Sequence, residues 1–397
     1  MRILHTSDWH VGRRFNETEV LDHLGEVIGV LIDVVRDENV DVVAIAGDVF
    51  DRAAPSSESV AFLSEQLRQV RGAGAQIVMT SGNHDGASRL GYGGWAAAAG
   101  GLHIVTRVDQ IGTPIELHDE HGPVFFYGIP FLDPKIDRGH FGDETLVSHE
   151  LILDAAMDRV RADLCGREGD RSIVLAHCFA VTGERGTSLP SSAEVAGEIT
   201  DSMRSIACGG VEVAPTAVFE GASYVALGHL HSRKSLTENI RYSGSPLAYS
   251  FGDRGPRGAW LLDLDAGGVR DVSWVDLPIP RELSTITGRL DDLLDDEQYS
   301  DVVDDWISAV ITDPSYPLEA MRRLRERFPH CVRLDFRPDS VSTDSALSYS
   351  QRVSGKSDNE LTAGFVSEMR GGVEATEVET DLIREAFEAL RLQEARS

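Results

Sequence analysis

Five short apolar runs, Arg2 to His5, Val42 to Ala46, Gln76 to Thr80, Ile173 to Ala176 and Tyr224 to Leu227, each lead into oxygen or imidazole donors. Runs of this length rich in Val, Ile, Leu and Ala, bounded by turn residues, read as buried strands. The donors that follow are Asp8-Trp9-His10, Gly47-Asp48 with Asp51, Gly82-Asn83-His84-Asp85, His177, and Gly228-His229-Leu230-His231. Helical patterns at Val20 to Val35 and Ser59 to Val70 alternate with the strands from residue 1 to about 278, which predicts an α/β layer structure. Loops at the strand ends of such a structure share one rim. The spacing therefore predicts that donors far apart in the chain converge.

Taken singly, the motifs have plain structural readings. Asp and His beside a strand are common turn residues, and Gly-Asn and His-Asp are ordinary turn and helix-cap chemistry. His177 within Leu175-Ala176-His177-Cys178-Phe179 also fits a core histidine with satisfied nitrogens. The joint order along one chain favours a metal site. Gly47 allows a sharp turn past a strand and leaves the Asp48 carboxylate at the rim, where it can bridge two cations. Imidazole and amide groups cannot bridge.

Phosphodiester hydrolysis near neutral pH needs an activated water, and metal coordination lowers the pKa of water from about 15.7 to about 7. Mixed oxygen and nitrogen donors without a cysteine cluster favour manganese, iron or zinc over calcium or a structural zinc, with manganese the first choice. Ionised Asp8 and Asp48 contribute a formal charge of about −2 against about +4 from two divalent ions, leaving a positive centre. The chain as a whole carries −28. Local ions attract a phosphate but do not explain how a long polyanion approaches the remaining surface.

The remaining signals are weaker. His103, His118, His121, His140 and His149 lack such a setting and receive no role. Gly355-Lys356-Ser357 resembles the end of a phosphate-binding loop, but Ser350 stands where that loop needs glycine, so it reads as polar linker. Cys165, Cys178, Cys208 and Cys331 are scattered, as expected of reduced thiols. No apolar stretch reaches about 18 residues, and Asp8 and His10 interrupt any signal-peptide core, so a cytoplasmic protein without membrane association is expected.

The start Met1-Arg2-Ile3-Leu4-His5-Thr6-Ser7-Asp8-Trp9-His10-Val11-Gly12, the run Gly47-Asp48-Val49-Phe50-Asp51 and the segment Tyr242-Ser243-Gly244-Ser245-Pro246 resemble the calcineurin-like metallophosphoesterases. Within them the chain is similar, over nearly its whole length, to the SbcD-type nuclease subunits related to the Mre-type repair nucleases. The resemblance implies a four-layer αββα sandwich with a small α+β cap domain and a C-terminal helical tail. It implies that Asp8, His10, Asp48 and His231 hold one ion, and that Asp48, Asn83, His177 and His229 hold the other. It also implies that His84 is the catalytic histidine that protonates the leaving 3′ oxygen, with Asp85 its supporting partner and Asp51 close by. One departure is the stretch Gly183 to Asp201, which reads as an extra loop, before Ser202-Met203-Arg204 and Gly209-Gly210.

Pro278 and Pro280 bracket a hinge, so residues 1–278 are expected to form the catalytic domain and 279–338 the cap, which by resemblance faces DNA. Within the cap the pattern predicts a strand from Leu283 to Leu290, a helix around Pro317 to Phe328 and a strand from Cys331 to Phe336. Asp291 to Asp305 holds eight acidic residues and reads as a solvated helix face. Arg322, Arg323, Arg325 and Arg327 read either as phosphate contacts or as an ordinary solvent-facing helix.

Residues 339–359 have linker composition, and 360–397 carry two apolar stripes, Leu361, Phe365, Val366 and Met369, then Leu382, Ile383, Ala386, Phe387 and Leu390. The resemblance implies that this tail binds the coiled-coil base of an SbcC-type ATPase, in a heterotetramer built on a homodimer. The expected function is then a dimanganese DNA nuclease acting at DNA ends, as a 3′–5′ double-strand exonuclease and a single-strand or hairpin endonuclease in repair and recombination. A phosphoesterase for a small substrate such as a cyclic nucleotide, and a non-catalytic protein-binding scaffold, remain the alternatives.

Overall fold

The computed structural model describes residues 1–167, 171–186, 213–253, 255–339, 355–369 and 373–394. Most of the Gly183 to Asp201 loop, Ser202-Met203-Arg204, Cys208, Gly209-Gly210, linker residues 340–354 and Gly371-Gly372 lie outside the described residues. The chain divides into two units, Met1–Pro280 and Arg281–Ser397. In chain order the first unit begins β1 (Arg2–Thr6), α1 (Leu21–Asp37), β2 (Val42–Ala46), α2 (Ser57–Gly72), β3 (Gln76–Thr80), β4 (Leu102–Val105), β5 (Ile115–Asp119) and β6 (Gly122–Ile129). It continues α3 (His149–Leu164), β7 (Ser172–His177), β8 (Tyr224–Gly228), β9 (Lys234–Ser235), β10 (Ile240–Tyr242), β11 (Arg257–Asp265) and β12 (Gly268–Leu277).

These strands form two six-stranded sheets, β12-β11-β1-β2-β3-β4 and β9-β10-β8-β7-β6-β5. β1 to β4 run parallel, as do β6, β7, β8 and β10, and the remaining pairs are antiparallel. Side chains alternate between the two faces of a strand, and both faces here are apolar. On the inner faces Ile3, Val42, Ala44 and Val78 meet Val124, Phe126, Ile173, Leu175, Tyr224 and Ala226 in one buried cluster. On the outer face of the second sheet α3 packs Ile152, Ala156, Met157 and Val160 with Tyr127, Val174, Ala176, Val225 and Leu227. Outside the first sheet α1 buries Leu24, Val27, Ile28 and Leu31, while α2 starts at Ser56, whose hydroxyl accepts from the Ser59 amide at 3.1 Å. The layer order is helix, sheet, sheet, helix.

The inner apolar layer has one polar pin. The His5 ring in β1 places Nδ1 3.1 Å from the Tyr224 hydroxyl and Nε2 3.1 Å from the Leu227 carbonyl, both on β8 of the facing sheet. Each ring nitrogen is paired, as a buried polar group requires. Burial pushes its pKa down to about 3.

The second unit holds β13 (Leu283–Gly288), α4 (Leu290–Asp295), β14 (Trp306–Ile311), α5 (Ala320–Arg327) and β15 (Cys331–Phe336). Its three strands are parallel with β14 in the middle. Ile286, Leu290, Leu293, Ile307, Ile311, Leu324 and Phe328 form its core. The acidic run supplies α4 and a short 3-10 turn, Glu297–Val302, with Leu290 and Leu293 turned inward. The sequence reading missed β14, because Trp306 to Ile311 follows that acidic run directly without a turn signal.

The arginines of α5 are engaged within the unit. Arg322 pairs with Glu319 and Glu326, and Arg323 with Asp291. Arg325 donates to the Cys331 carbonyl, and Arg327 to the carbonyls of Leu293 and Asp296. Of the two readings of this helix, the geometry favours the structural one.

Helices α6 (Asp358–Met369) and α7 (Glu377–Glu394) contact each other. Phe365 and Leu382 remain 62% and 59% exposed, so this pairing leaves much of both stripes uncovered. Among the described residues no helix is long and apolar enough to cross a membrane.

His5 makes the fold pH-sensitive in a defined window. The folded ring stays neutral to about pH 3, whereas the unfolded ring takes a proton below about 6.5. Stability contributed by the neutral ring is complete above about pH 6.5 and falls as the pH drops toward 3. Between pH 7 and 5 the loss amounts to about 2 kcal/mol. Urea midpoints at the two pH values measure it, and His5→Gln should shrink the difference by about that amount; an unchanged difference assigns the effect elsewhere.

Candidate metal centre

The five donor motifs leave the C-terminal ends of β1, β2, β3, β7 and β8, three neighbours in one sheet and two in the other. The two rims touch there. His177 Nδ1 lies 2.9 Å from the Ala46 carbonyl, and the His229 amide donates to Asp8 Oδ1 at 3.1 Å. This approach needs glycine at two points. A Cβ on Gly228 would overlap the Ala46 carbonyl, and one on Gly47, at φ 83°, would overlap the His177 ring.

Backbone strain concentrates here. Asp8, His10, Asp48 and His229 have φ of 54°, 44°, 48° and 108°, a region disfavoured for side chains other than glycine and tolerated best by Asp, Asn and His. The strain turns each side chain inward. Asp8, His10, Asp48, His177, His229 and His231 are all buried, while Asn83 and His84 are half-buried.

The side chains fall into two adjoining sets. In one, His10 Nε2 faces His231 Nε2 at 3.0 Å, with an Asp8 oxygen within 4.8 Å of a nitrogen on each ring. In the other, Asn83 Oδ1 lies 3.1 Å from both His177 Nε2 and His229 Nδ1. Asp48 Oδ2 stands between the sets, 3.5 Å from His10 Nε2 and 3.4 Å from His177 Nε2. Two imidazole nitrogens that face each other can share at most one proton without repulsion, and a cation satisfies both. The donor set thus fits divalent metal ions.

Supporting groups hold these donors. Ser7 Oγ donates to Asp8 Oδ2 at 2.5 Å and contacts Ser243 Oγ at 2.8 Å. Behind His10 and His231, the buried Nδ1 atoms make no hydrogen bond, but each faces a carboxylate: Asp51 Oδ1 at 3.5 Å and Asp253 Oδ2 at 3.8 Å. A carboxylate behind a ligating imidazole orients the ring and raises its basicity. Sequence reasoning missed Ser7, Ser243 and Asp253. Ser243 lies in a quoted motif, but Asp253 is separated from every donor cluster and carries no local signal.

His84 and its neighbour have different jobs from those expected of them as a pair. The His84 ring is oriented by Asp51, whose backbone carbonyl lies 2.9 Å from Nδ1, and its amide donates to Asp48 Oδ1 at 2.9 Å. With Nδ1 occupied as donor, Nε2 is the nitrogen available for other chemistry. The Asp85 carboxylate instead accepts from the amides of Val49, Phe50 and Gly82 at 3.1, 2.8 and 2.9 Å. It ties the loop after β2 to the loop after β3. The expected support of His84 by Asp85 is therefore corrected to Asp51, because three amides take up the Asp85 oxygens.

The electrostatics are those of a cluster built around charge. Burial works against a charged His177, but Asp48 outweighs it and takes its pKa up to about 9. Burial likewise opposes ionised Asp48, yet the charge of His177 and its hydrogen bond hold it well below the usual carboxylate range. Burial raises Asp8, and pushes His10 and His229 down to about 3. Neutral His10 and His229 and ionised Asp48 are already in the forms that ligate metal, whereas His177 must give up its proton to do so.

The calcineurin-like phosphoesterase family matches residues 1–233, more than half of the 397 residues. The chain belongs to that family. Residues 279–370 match a second family, SbcD_C, described as the type 5 capsule protein repressor C-terminal domain. The two domains in this order support an SbcD-type nuclease subunit, and the family with its clustered donors supports a metal-dependent hydrolase. Among solved structures the chain is similar to GAP50, the anchor in the inner membrane complex of Plasmodium, at 11% identity over 88% of this chain and 99% of that one, with a TM-score of 0.34. It is also similar to Fpglu1 from Fervidobacterium pennivoraus, at 8% identity over 85% of each chain, with a TM-score of 0.22. Superpositions this loose carry no argument about fold or activity.

The carboxylate behind His231 is open to test. Asp253→Asn should weaken divalent-metal binding about 10- to 100-fold, read by titration calorimetry with manganese, while the circular dichroism spectrum holds. Unchanged affinity would mean that the 3.8 Å approach does not orient the ring.

Proposed function

We propose that this chain is the nuclease subunit of a DNA end-processing complex, hydrolysing phosphodiester bonds with two divalent ions, manganese by preference. The observation that carries the reading is the position of Asp48, with one oxygen facing an imidazole from each donor set, in a chain whose second part matches SbcD_C. Asp8, His10, Asp48 and His231 would hold one ion, and Asp48, Asn83, His177 and His229 the other. When bound, the ions supply an activated water and charge stabilisation at the phosphate.

The chain's own residues do the rest. Asp51 holds the His84 ring through Nδ1, so Nε2 can carry a proton to the leaving 3′ oxygen, a general-acid role. Buried Ser7 fixes the Asp8 carboxylate. Phe131 and Phe179, with ring centres 6.4 and 6.3 Å from that of His229, form an apolar wall beside the second donor set. By family resemblance the reaction runs 3′ to 5′ on duplex ends and cuts single strands and hairpins internally, in repair and recombination in the cytoplasm.

The uncovered stripes of α6 and α7 support a partner at the tail, here an SbcC-type ATPase gripping a homodimer of this chain in a heterotetramer. Domain roles follow the same reading: catalysis in residues 1–278, a DNA-facing cap in 279–338, a linker in 339–359 and the partner-binding tail in 360–397. A basic surface supplied by the partner would offset the −28 charge of this chain.

The test is hydrolysis of end-labelled duplex DNA and of a cyclic nucleotide by the purified chain with manganese, with and without chelator. Chelator-sensitive DNA cutting is expected; cyclic-nucleotide turnover with intact DNA would instead establish the small-substrate reading. Asp48→Ala should abolish most metal binding, whereas His84→Ala should retain metal and lose roughly 10²–10⁴-fold in rate. Equal metal loss in both variants would remove His84 from its assigned role. Phe365→Glu with Leu382→Glu should prevent co-purification with the ATPase yet leave hydrolysis of bis(p-nitrophenyl) phosphate unchanged.

A further inference from the structure

Among the described residues many arginines are paired with carboxylates, whereas Arg233 and Arg241 are held another way. Arg233 lies two residues beyond His231, a span of at most about 7 Å along the chain. Its guanidinium sits 4.6 Å from the ring centre of Trp260 and 4.5 Å from that of Trp274. Arg241 of β10 sits 4.5 Å from the Trp260 ring. Trp260 and Trp274 are directly paired across β11 and β12, with ring centres 4.9 Å apart. The Trp260 indole N–H is fixed by the Tyr242 carbonyl at 2.9 Å. Among the described residues neither guanidinium forms an ion pair with a carboxylate, although Asp276 is close enough to accept from the Trp274 indole at 2.8 Å.

Unlike Arg322 and Arg323 of α5, neither has an acidic partner among the described residues; Arg241, like Arg325 and Arg327, is held by neutral acceptors. Arg241 is aimed by the Ser235 hydroxyl at 3.0 Å and by the Glu238 carbonyl at 3.0 and 3.2 Å. These are neutral acceptors and leave its charge uncompensated. Arg233 is exposed and, among the described residues, is held only by the two indoles. Stacking uses the face of a guanidinium, so the in-plane N–H donors of Arg233 stay available for a bidentate phosphate contact, while Arg241, with Nε, Nη1 and Nη2 each donating once, keeps one N–H on each terminal nitrogen. Holding the plane in advance also reduces the rotamer entropy lost on binding.

We propose that Arg233 and Arg241, ordered by Trp260 and Trp274, form a contact for the sugar–phosphate backbone of a nucleic-acid strand. It engages a phosphate flanking the one at the metal centre. This rests on the nuclease reading above and deepens it by assigning a substrate subsite on this chain. It also bears on the charge problem, since it places Arg233, with no ion pair among the described residues, two residues from His231. A lid over the indoles is the competing role, and such a lid would affect folding or both substrates alike.

The experiment uses the full-length, manganese-loaded chain and a fluorescein-labelled oligonucleotide. Binding is followed by anisotropy on the His84→Ala background, where the strand is not cut, from about 50 to 300 mM salt. Arg233→Gln with Arg241→Gln should make the plot of log K against log salt shallower by about one to two. On the His84-intact background the same pair should lower kcat/KM for the oligonucleotide about tenfold and leave hydrolysis of bis(p-nitrophenyl) phosphate unchanged. Arg233→Lys with Arg241→Lys, which keeps the charge, should restore most of the slope. An unchanged slope in the glutamine pair, or an equal loss on both substrates, overturns the contact alone. A parent chain that hydrolyses the small ester but neither binds nor cuts the oligonucleotide overturns the nuclease reading and the contact together.

Discussion

Everything at the site depends on how closely two sheets approach at one rim. The Ala46 carbonyl at the end of β2 meets His177 Nδ1 at the end of β7 at 2.9 Å, and no side chain stands between the strands because Gly47 and Gly228 flank the contact. This contact fixes the orientation of the His177 ring, directing Nε2 toward Asp48 and Asn83. The same approach brings the His229 amide onto Asp8. Separating the sheets by the width of a methyl group would disassemble both donor sets. The apolar layer behind the rim, with His5 spanning it, supplies the rigidity that positions the strained Asp8, His10 and Asp48.

Burial and charge oppose each other throughout this cluster. Desolvation drives His10 and His229 toward neutrality, while Asp48 retains its charge because His177 answers it. A buried charge without a partner is costly enough to unfold a domain, so the cluster is stable only as a set. Around it, the loops after β2 and β3 are tied by Asp85 and the His84 ring is aimed by Asp51. Support and chemistry are therefore divided between neighbouring carboxylates that look alike in sequence.

The second unit puts its charge to structural use. Its arginines close on its own acids and carbonyls, and its acidic run forms short helices over Leu290 and Leu293. Arg233 and Arg241, which have no ion pair among the described residues, lie at the edge of the sandwich formed by β9 to β12. The C-terminal helices meet each other, yet each retains exposed large apolar side chains. Two amphipathic helices are too few to bury both stripes.

The strand-then-donor order along the chain was enough to read the α/β layers and the convergence of Asp8, Asp48, Asn83, His177 and His231 at one rim, because each signal is local: an apolar run, a glycine turn, a carboxylate or imidazole. Strand β14 escaped because an acidic run stood where a turn should have been, and burial of its residues is decided by neighbours more than 20 residues away on both sides. The roles of Asp51, Asp85 and Asp253 also required the fold. A carboxylate's function depends on which donors reach its oxygens, and those donors come from loops that only sheet packing brings together. The same limit applied to the arginines: composition counts their charge, but only the tertiary structure decides whether an acid, a carbonyl or an indole face holds each one.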